Sequence, residues 1–170
     1  RSIQQLLEHG ERAQALAIAR DWRERAPIDV LALAALGDAA RARGELRRAA
    51  RAYGSIIDLH PSRADMLRFA AAQLESLDDP AALDVAIDAY RRAAAERPDH
   101  PTGQRSLAIA LLRRGEPQAA FEVLEQALVR PYPPDRFAGA QRVLSEDLGI
   151  AAAIWLHREP TASATVHARL

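Results

Sequence analysis

The sequence predicts an all-α fold, an α-solenoid of stacked antiparallel helix hairpins with a C-terminal helical cap. Three observations support this prediction: an alanine- and leucine-rich composition, an internal repeat of 34 residues, and glycines and prolines at the expected turns of that repeat. Apolar residues make up 49% of the chain, but aromatic residues only 5%. Small apolar side chains, and those without a branch at Cβ, suit closely packed helices better than a β-sandwich.

The repeat is visible in like residues that recur at a fixed spacing. Gly10 and Gly44 lie 34 residues apart, and so do Pro27 and Pro61. The spacing then widens to 37 residues between Pro61 and Pro98. A constant period of this length indicates a repeat architecture, in which each unit buries its apolar face only by stacking on a neighbour.

Turn residues divide each unit into two helices. Gly44 and Gly115 would end a first helix in left-handed backbone, while Pro61 and Pro98 would stop one unit before the next begins. We therefore expect helices over residues 2–9, 12–25, 30–43, 46–58, 63–76, 81–96, 102–113 and 117–129.

The three added residues fall in the turn of the third unit, which reads SLDDPAALD. Asp79 can cap the next helix and Pro80 suits its first position. A longer loop therefore fits there without breaking the stack. A partner contact on this loop is the alternative.

One stretch, residues 33–61, reads LAALGDAARARGELRRAARAYGSIIDLHP. It contains a Leu-Gly pair, a glycine turn, a small residue, an aromatic residue and a closing proline, at Leu36, Gly37, Gly44, Ala49, Tyr53 and Pro61. This order resembles the tetratricopeptide repeat. The resemblance covers residues 1–133, as a partial unit (1–29) and full units 30–63, 64–100 and 101–133. The partial unit leads us to expect a longer parent chain.

Beyond Pro133 the repeat pattern fades, although the sequence remains helical in character. Apolar residues in 134–158 form one face, and Gly149 would divide the segment into two helices. We expect these to cap the last repeat. The alternative is that they fold towards the groove or join a following domain. Residues 159–170 are expected to be a linker or a disordered tail.

Charge and composition exclude several classes of protein. The 23 basic and 23 acidic residues balance, with no basic block, so no nucleic-acid partner is expected. No apolar run is long enough for membrane insertion. The chain has no cysteine, which removes disulfides and thiolate chemistry. A soluble protein is expected, with the cytoplasm favoured. Since arginine replaces lysine throughout, a bacterial source is also expected.

No group of residues in the sequence indicates a catalytic site. The five histidines are scattered without metal-ligand spacing, and the pair Asp78–Asp79 suits a helix cap better than acid–base work. There is no glycine-rich phosphate loop and no Gly-x-Ser-x-Gly motif. We therefore expect no catalytic residue, no cofactor, no metal and no enzyme activity.

The resemblance implies that the first helix of each unit lines a concave, partner-binding groove. The exposed positions expected there are Asp38, Arg41, Arg68, Phe69, Glu75, Arg105, Ser106, Ile109 and Arg113. Arg68 and Arg105 hold matching positions, so they should project side by side and bind a carboxylate or an acidic peptide. Phe69 would be an apolar anchor. In the alternative, these arginines are solvated or paired locally.

The sequence thus favours a protein–protein interaction scaffold that binds a peptide or protein partner. The two arginines Arg68 and Arg105 would suit an acidic partner. The alternative is a structural spacer, or a module that self-associates through its end helices, within a larger bacterial multidomain protein.

Overall fold

The computed structural model describes residues 2–170, which contain α-helices, one 3-10 turn and no strand. The helices are α1 (Ile3–Glu8), α2 (Arg12–Arg25), α3 (Val30–Ala42), α4 (Leu46–Leu59), α5 (Ala64–Glu75), α6 (Pro80–Glu96), α7 (Pro101–Arg114), α8 (Pro117–Leu128), α9 (Ala140–Arg158) and α10 (Ser163–Arg169), and the 3-10 turn is Pro160–Ala162. The expected all-α fold is confirmed, and α1 to α8 match the expected ranges to within one residue at each end.

The chain comprises two compact units that divide within α6, between Ala89 and Tyr90. In unit 1, each helix from α1 to α4 packs on the helix that follows it, and α1 also contacts α3. Short turns between consecutively packed helices make them antiparallel hairpins. This is the packing of an α-solenoid, as the sequence predicts.

A glycine controls the closest approach between helices in unit 1. Gly37 of α3 lies against the ring of Tyr53 in α4, and a Cβ atom at Gly37 would come 2.2 Å from that ring. Tyr53 is fully buried. The glycine of the Leu-Gly pair and the aromatic residue of the repeat therefore meet in the core.

Left-handed turn residues end the first helices of unit 1. Gly10 and Gly44 have φ angles of 77° and 74°. In the predicted repeat unit 64–100, which has no glycine turn, Asp78 adopts the same left-handed region with φ 53°. The Asp79 side chain then accepts a hydrogen bond from the Ala82 amide at 2.9 Å, and Pro80 is the first residue of α6. The expected cap is confirmed.

In unit 2, α7 packs on α8, while α9 packs on both of them and so covers the hairpin as a cap. The end of α6 lies close to α7, because a Cβ atom at Gly103 would come 3.1 Å from the Cα atom of Ala94. Gly115 ends α7 with φ 91°. Arg158, at the end of α9, donates a hydrogen bond to the Gly115 carbonyl at 2.7 Å.

The C-terminal region differs from the expectation in two ways. First, α9 is one continuous helix that runs through Gly149, where two helices were expected. A glycine inside a helix costs about 1 kcal/mol relative to alanine, and the buried side chains Leu144, Leu148 and Trp155 offset that cost. Secondly, residues 160–169 form a 3-10 turn and α10 where a linker or disordered tail was expected.

The order of the tail comes from contacts with helices before it. Val166 is fully buried, and α10 packs on α9. Arg169 donates two hydrogen bonds to Glu125 of α8, at 3.0 and 2.5 Å, and its guanidinium lies 5.0 Å from the ring centroid of Phe121. The expected repeat and domain boundaries themselves stay predictions.

Candidate partner-binding groove

Unit 1 has a cleft of about 930 Å³ along its first helices, which we call the unit 1 cleft. It lies between α1, α3 and Ser76, the residue that follows α5. Its apolar lining comes from Ile3, Leu7, Trp22, Leu31, Ala34, Ala35 and Ala42, and its polar lining from Gln4, Glu8, Asp38, Arg41 and Ser76. Two of the expected groove residues, Asp38 and Arg41, therefore lie in one cavity.

Asp38 and Arg41 are held in place by their neighbours. Asp38 Oδ1 accepts a hydrogen bond from the Tyr53 hydroxyl at 2.7 Å, and Arg41 Nη2 lies 3.8 Å from the same oxygen. Arg41 Nη1 also donates to Ser76 Oγ at 3.3 Å. The charged pair is thus fixed from the buried side by Tyr53, while its open side faces the cleft.

The protonation state of Tyr53 maintains this arrangement. Burial raises the pKa of the Tyr53 hydroxyl well above its ordinary value, and the hydrogen bond to Asp38 and the charge of Asp38 raise it further. Tyr53 therefore remains a hydrogen-bond donor at physiological pH. The Asp38 carboxylate keeps a fixed orientation as a result.

The expected residues of α5 do not line the unit 1 cleft. Nη1 of Arg68 is buried and has no hydrogen-bond partner among residues 2–170. Phe69 is 37% exposed, and Glu75 is half-buried. Of these three residues, Phe69 offers the most apolar surface to a partner.

Arg105 of α7 is paired within unit 2. Its Nε atom donates to Asp147 Oδ2 of α9 at 2.6 Å, and Arg105 is 47% exposed whereas Asp147 is only 16% exposed. Arg105 is therefore paired within unit 2, with a partner that the sequence did not indicate. Arg105 also lines a second cleft of about 450 Å³ between the start of α7 and residues 135–144.

The remaining expected residues lie on α7 outside the second cleft. Ile109 and Arg113 are exposed, and Ser106 is half-buried. The structure thus brings Asp38 and Arg41 together. That Arg68 and Arg105 lie side by side stays a prediction.

Several residues of these surfaces were missed from the sequence. Tyr53 was identified from the sequence only as the aromatic residue of the repeat motif, and nothing in the motif indicates that its hydroxyl reaches Asp38. Ser76 follows the expected Glu75 by one residue, so a wider reading of the exposed face would have found it. Asp147 lies 42 residues from Arg105 and carries no local signal.

Comparison with protein families supports the sequence resemblance. Residues 83–136 match the family model described as "Tetratricopeptide repeat". Residues 83–136 of the chain therefore carry the tetratricopeptide repeat. The resemblance stated from the sequence is confirmed. Tetratricopeptide repeats are generally protein–protein interaction scaffolds and are typically not enzymes.

A crystal structure of a thermophilic tetratricopeptide-repeat protein from Thermus thermophilus is similar to this chain. The two share 17% sequence identity over 98% of this chain and 94% of that chain, with a TM-score of 0.49. A comparison with curated proteins gives no match.

The matched tetratricopeptide segment includes the whole hairpin of α7 and α8. This hairpin supplies four of the expected groove residues, Arg105, Ser106, Ile109 and Arg113. In the part of the chain that the structure describes, no helix is long and apolar enough to cross a membrane. Across the same residues, no three histidine, aspartate or glutamate side chains are grouped as a metal site.

Proposed function

We propose that the chain is an interaction scaffold whose first helices bind a peptide or protein partner in a groove. The observation that supports this most directly is the unit 1 cleft, in which apolar side chains lie beside the Asp38–Arg41 pair that Tyr53 holds. Apolar anchors supply affinity, while fixed charges orient a partner and exclude wrong ones. A prearranged surface of this kind also loses little entropy on binding.

Arg68 and Phe69 of α5, and separately Arg105 of α7, are the residues proposed to contact an acidic partner. The buried Nη1 atom of Arg68 has no partner among the described residues, and an unsatisfied buried donor costs about 1–3 kcal/mol. A side-chain rotation that turns this nitrogen outward, onto a carboxylate of the partner, would remove that cost. The Arg105 side chain is 47% exposed, so a partner can reach it, and the exposed ring of Phe69 offers an apolar anchor.

Peptides selected from a random display library on the wild-type chain test this proposal. One enriched peptide is labelled, and its affinity is measured by fluorescence anisotropy. The combined variant Arg68→Ala, Phe69→Ala and Arg105→Ala should bind it at least about tenfold more weakly, because each lost anchor contributes on the order of 1 kcal/mol or more.

The matched control is Arg51→Ala, which removes an exposed arginine from the second helix α4. This variant should bind the peptide like the wild type. Circular dichroism should show equal helix content in both variants. An unchanged affinity in the triple variant would contradict the assignment of these three residues to partner binding.

A further inference from the structure

The second cleft, which lies between the start of α7 and residues 135–144, combines apolar walls with charged groups. Its volume is about 450 Å³, which falls within the range of about 300–1,000 Å³ that is typical of ligand sites. Such sites are mostly apolar and have a few converging polar groups. Here the apolar side chains include Phe137, Val143 and Leu144, and the charged ones are Arg105, Asp135 and Arg136. A ligand that matches this lining has both an apolar part and a charged part.

The charges around the second cleft favour an acidic ligand. Its two arginines, Arg105 and Arg136, are exposed, and Arg105 stays so although its Nε atom donates to Asp147. Asp135 is the one carboxylate that lines the cleft among the described residues. No side chain caps the start of α9 at Gly139, which also lines the cleft, so the positive end of that helix adds to the arginines. Arginines bind a carboxylate through paired, charge-assisted hydrogen bonds.

A buried glutamine beside the second cleft breaks the pattern of the repeat. Gln104 lies eleven residues before Gly115, the left-handed residue that ends α7. Leu33 and Leu67 lie eleven residues before the left-handed turn residues that follow α3 and α5. All three side chains are buried, and Gln104 is only 5% exposed. Unit 2 therefore has a polar side chain where unit 1 has leucine, and such a departure is expected at functional sites.

Two buried polar atoms at this end of the α7–α8 hairpin have no hydrogen-bond partner. They are Oε1 of Gln104 and the hydroxyl of Tyr132, each unpaired among residues 2–170. Gln104 follows Pro101 by three residues, so the two are neighbours on the surface of α7, and Pro101 lines the second cleft. The Tyr132 ring centroid lies 6.5 Å from that of Phe137, which lines the same cleft. Buried polar groups nearly always have a partner, so the unpaired atoms indicate that a polar ligand group belongs here.

We propose that the second cleft binds a short segment of a partner protein in which an acidic residue stands next to an apolar one. The carboxylate contacts Arg105 and Arg136, and the apolar side chain packs on Phe137 and Val143. Gln104 turns toward the cleft, and its Oε1 atom accepts a main-chain N–H of the segment; side chains at interfaces commonly change rotamer on binding. The proposal rests on the scaffold function and names the partner chemistry for the part of the groove at Arg105.

The probe is a hexapeptide with blocked ends and a central Asp-Leu pair, flanked on each side by glycine and serine. Titrated into the ¹⁵N-labelled chain, it should shift the amide NMR signals of Phe137, Ala140 and Val143 saturably, with a Kd of about 1 mM or less. Control peptides with a central Asn-Leu or Asp-Gly pair should each bind roughly fivefold or more weakly, because each lacks one of the two anchors. The absence of a saturable shift, or equal binding of all three peptides, overturns the proposal.

Gln104→Leu separates a role in binding from a role in packing. Leucine suits this position, as the buried Leu33 and Leu67 show, so the variant should melt at least about 2 °C higher. It should nevertheless bind the probe roughly fivefold or more weakly, because the main-chain N–H loses its acceptor. Unchanged binding would overturn the role of Gln104. A lower melting temperature would also overturn it, since the amide would then have a partner within the protein.

Charge changes test the two sides of the second cleft. Arg136→Glu should weaken binding of the probe, and a hexapeptide with a central Lys-Leu pair should bind this variant better than it binds the wild type. Both effects should shrink at high salt, because exposed charges are screened. Val143→Asp, which puts a carboxylate on the apolar wall, should abolish binding. The matched control is Ser145→Asp, which adds the same charge to an exposed position of α9 outside the cleft and should leave binding unchanged.

A further variant separates this proposal from the scaffold function on which it rests. Arg68→Ala combined with Phe69→Ala leaves Arg105 intact and should bind the hexapeptide like the wild type, because the probe contacts only unit 2. The peptide selected from the display library tests the scaffold function by itself. If the triple variant weakens that peptide while the hexapeptide ignores Arg136→Glu and Val143→Asp, the scaffold function stands and the assignment of the second cleft fails.

Discussion

At the scale of single residues, Tyr53 sets the spacing of α3 and α4 and also orients Asp38, which lines the unit 1 cleft. A Cβ atom at Gly37 would come 2.2 Å from the Tyr53 ring, and Tyr53 is held by its hydrogen bond to Asp38 at 2.7 Å. The ring cannot move aside without giving up that bond. Gly54 of α4 is different, because a Cβ atom added there would meet no neighbouring atom within 4 Å.

Gly37→Ala should therefore destabilise the protein, although alanine is the better helix former. Overpacking costs about 1–3 kcal/mol, which exceeds the helix-propensity gain of about 1 kcal/mol. We expect a net loss of roughly 1–2 kcal/mol in the free energy of unfolding, measured by urea denaturation. Gly54→Ala is the matched control and should raise that free energy by up to about 1 kcal/mol. Equal effects of the two substitutions would contradict the packing argument.

The sequence identified both residues of this contact as positions of the repeat motif, but it predicted neither that they meet nor all that they do. The repeat motif specifies size, a small residue opposite a large aromatic one, and size alone places Gly37 and Tyr53 in the core. The motif does not specify polarity at the ring's far end, so the Tyr53–Asp38 hydrogen bond was not predicted. The side-by-side arrangement of Arg68 and Arg105 remains a prediction, since it follows from matching positions only.

At the scale of helices, sequence predicts ends well where the signal is local. Glycine turns, the Asp79 cap and proline at a first helical position each act within a few residues, and the bounds of α1 to α8 agree to within one residue. The C-terminal region was predicted less well for the opposite reason. Its order depends on bonds from Arg158 to Gly115 and from Arg169 to Glu125, which join residues 43 and 44 positions apart.

The Glu125–Arg169 bond makes the attachment of α10 dependent on pH. The hydrogen bond from Arg169 lowers the pKa of the Glu125 carboxyl below its usual 4.5. A carboxylate whose pKa is lower in the folded state stabilises that state above its unfolded pKa, and this contribution is lost as pH falls through the folded pKa. We expect α10 to loosen below about pH 4.5, measured by the methyl NMR signals of Val166.

Glu125→Gln is the control for this titration. It removes the charge at all pH values, so the Val166 signals should already be shifted at neutral pH and should change little on acidification. A wild-type titration curve that persists in this variant would assign the pH dependence to another group.

At the scale of the whole molecule, each unit has its own packed core, and the two divide between Ala89 and Tyr90 within α6. In repeat proteins, stability is approximately a sum of unit stabilities and nearest-neighbour terms. Local opening then has a different free energy in each region of the chain. A cavity in the core of unit 2 should therefore lower the free energy of opening mainly within unit 2.

The substitution Phe121→Ala creates such a cavity. Phe121 is fully buried in α8, and its ring centroid lies 5.6 Å from that of Trp155 in α9. Removing a buried phenylalanine costs about 3–5 kcal/mol, so native-state hydrogen exchange should show weaker protection of α8 and α9 amides by a corresponding amount. Amides of α3 and α4 should keep most of their protection, because their contacts lie within unit 1. An equal loss of protection in both units would contradict this expectation. It would show that the chain unfolds cooperatively, because the coupling free energy through α6 exceeds the stability of either unit.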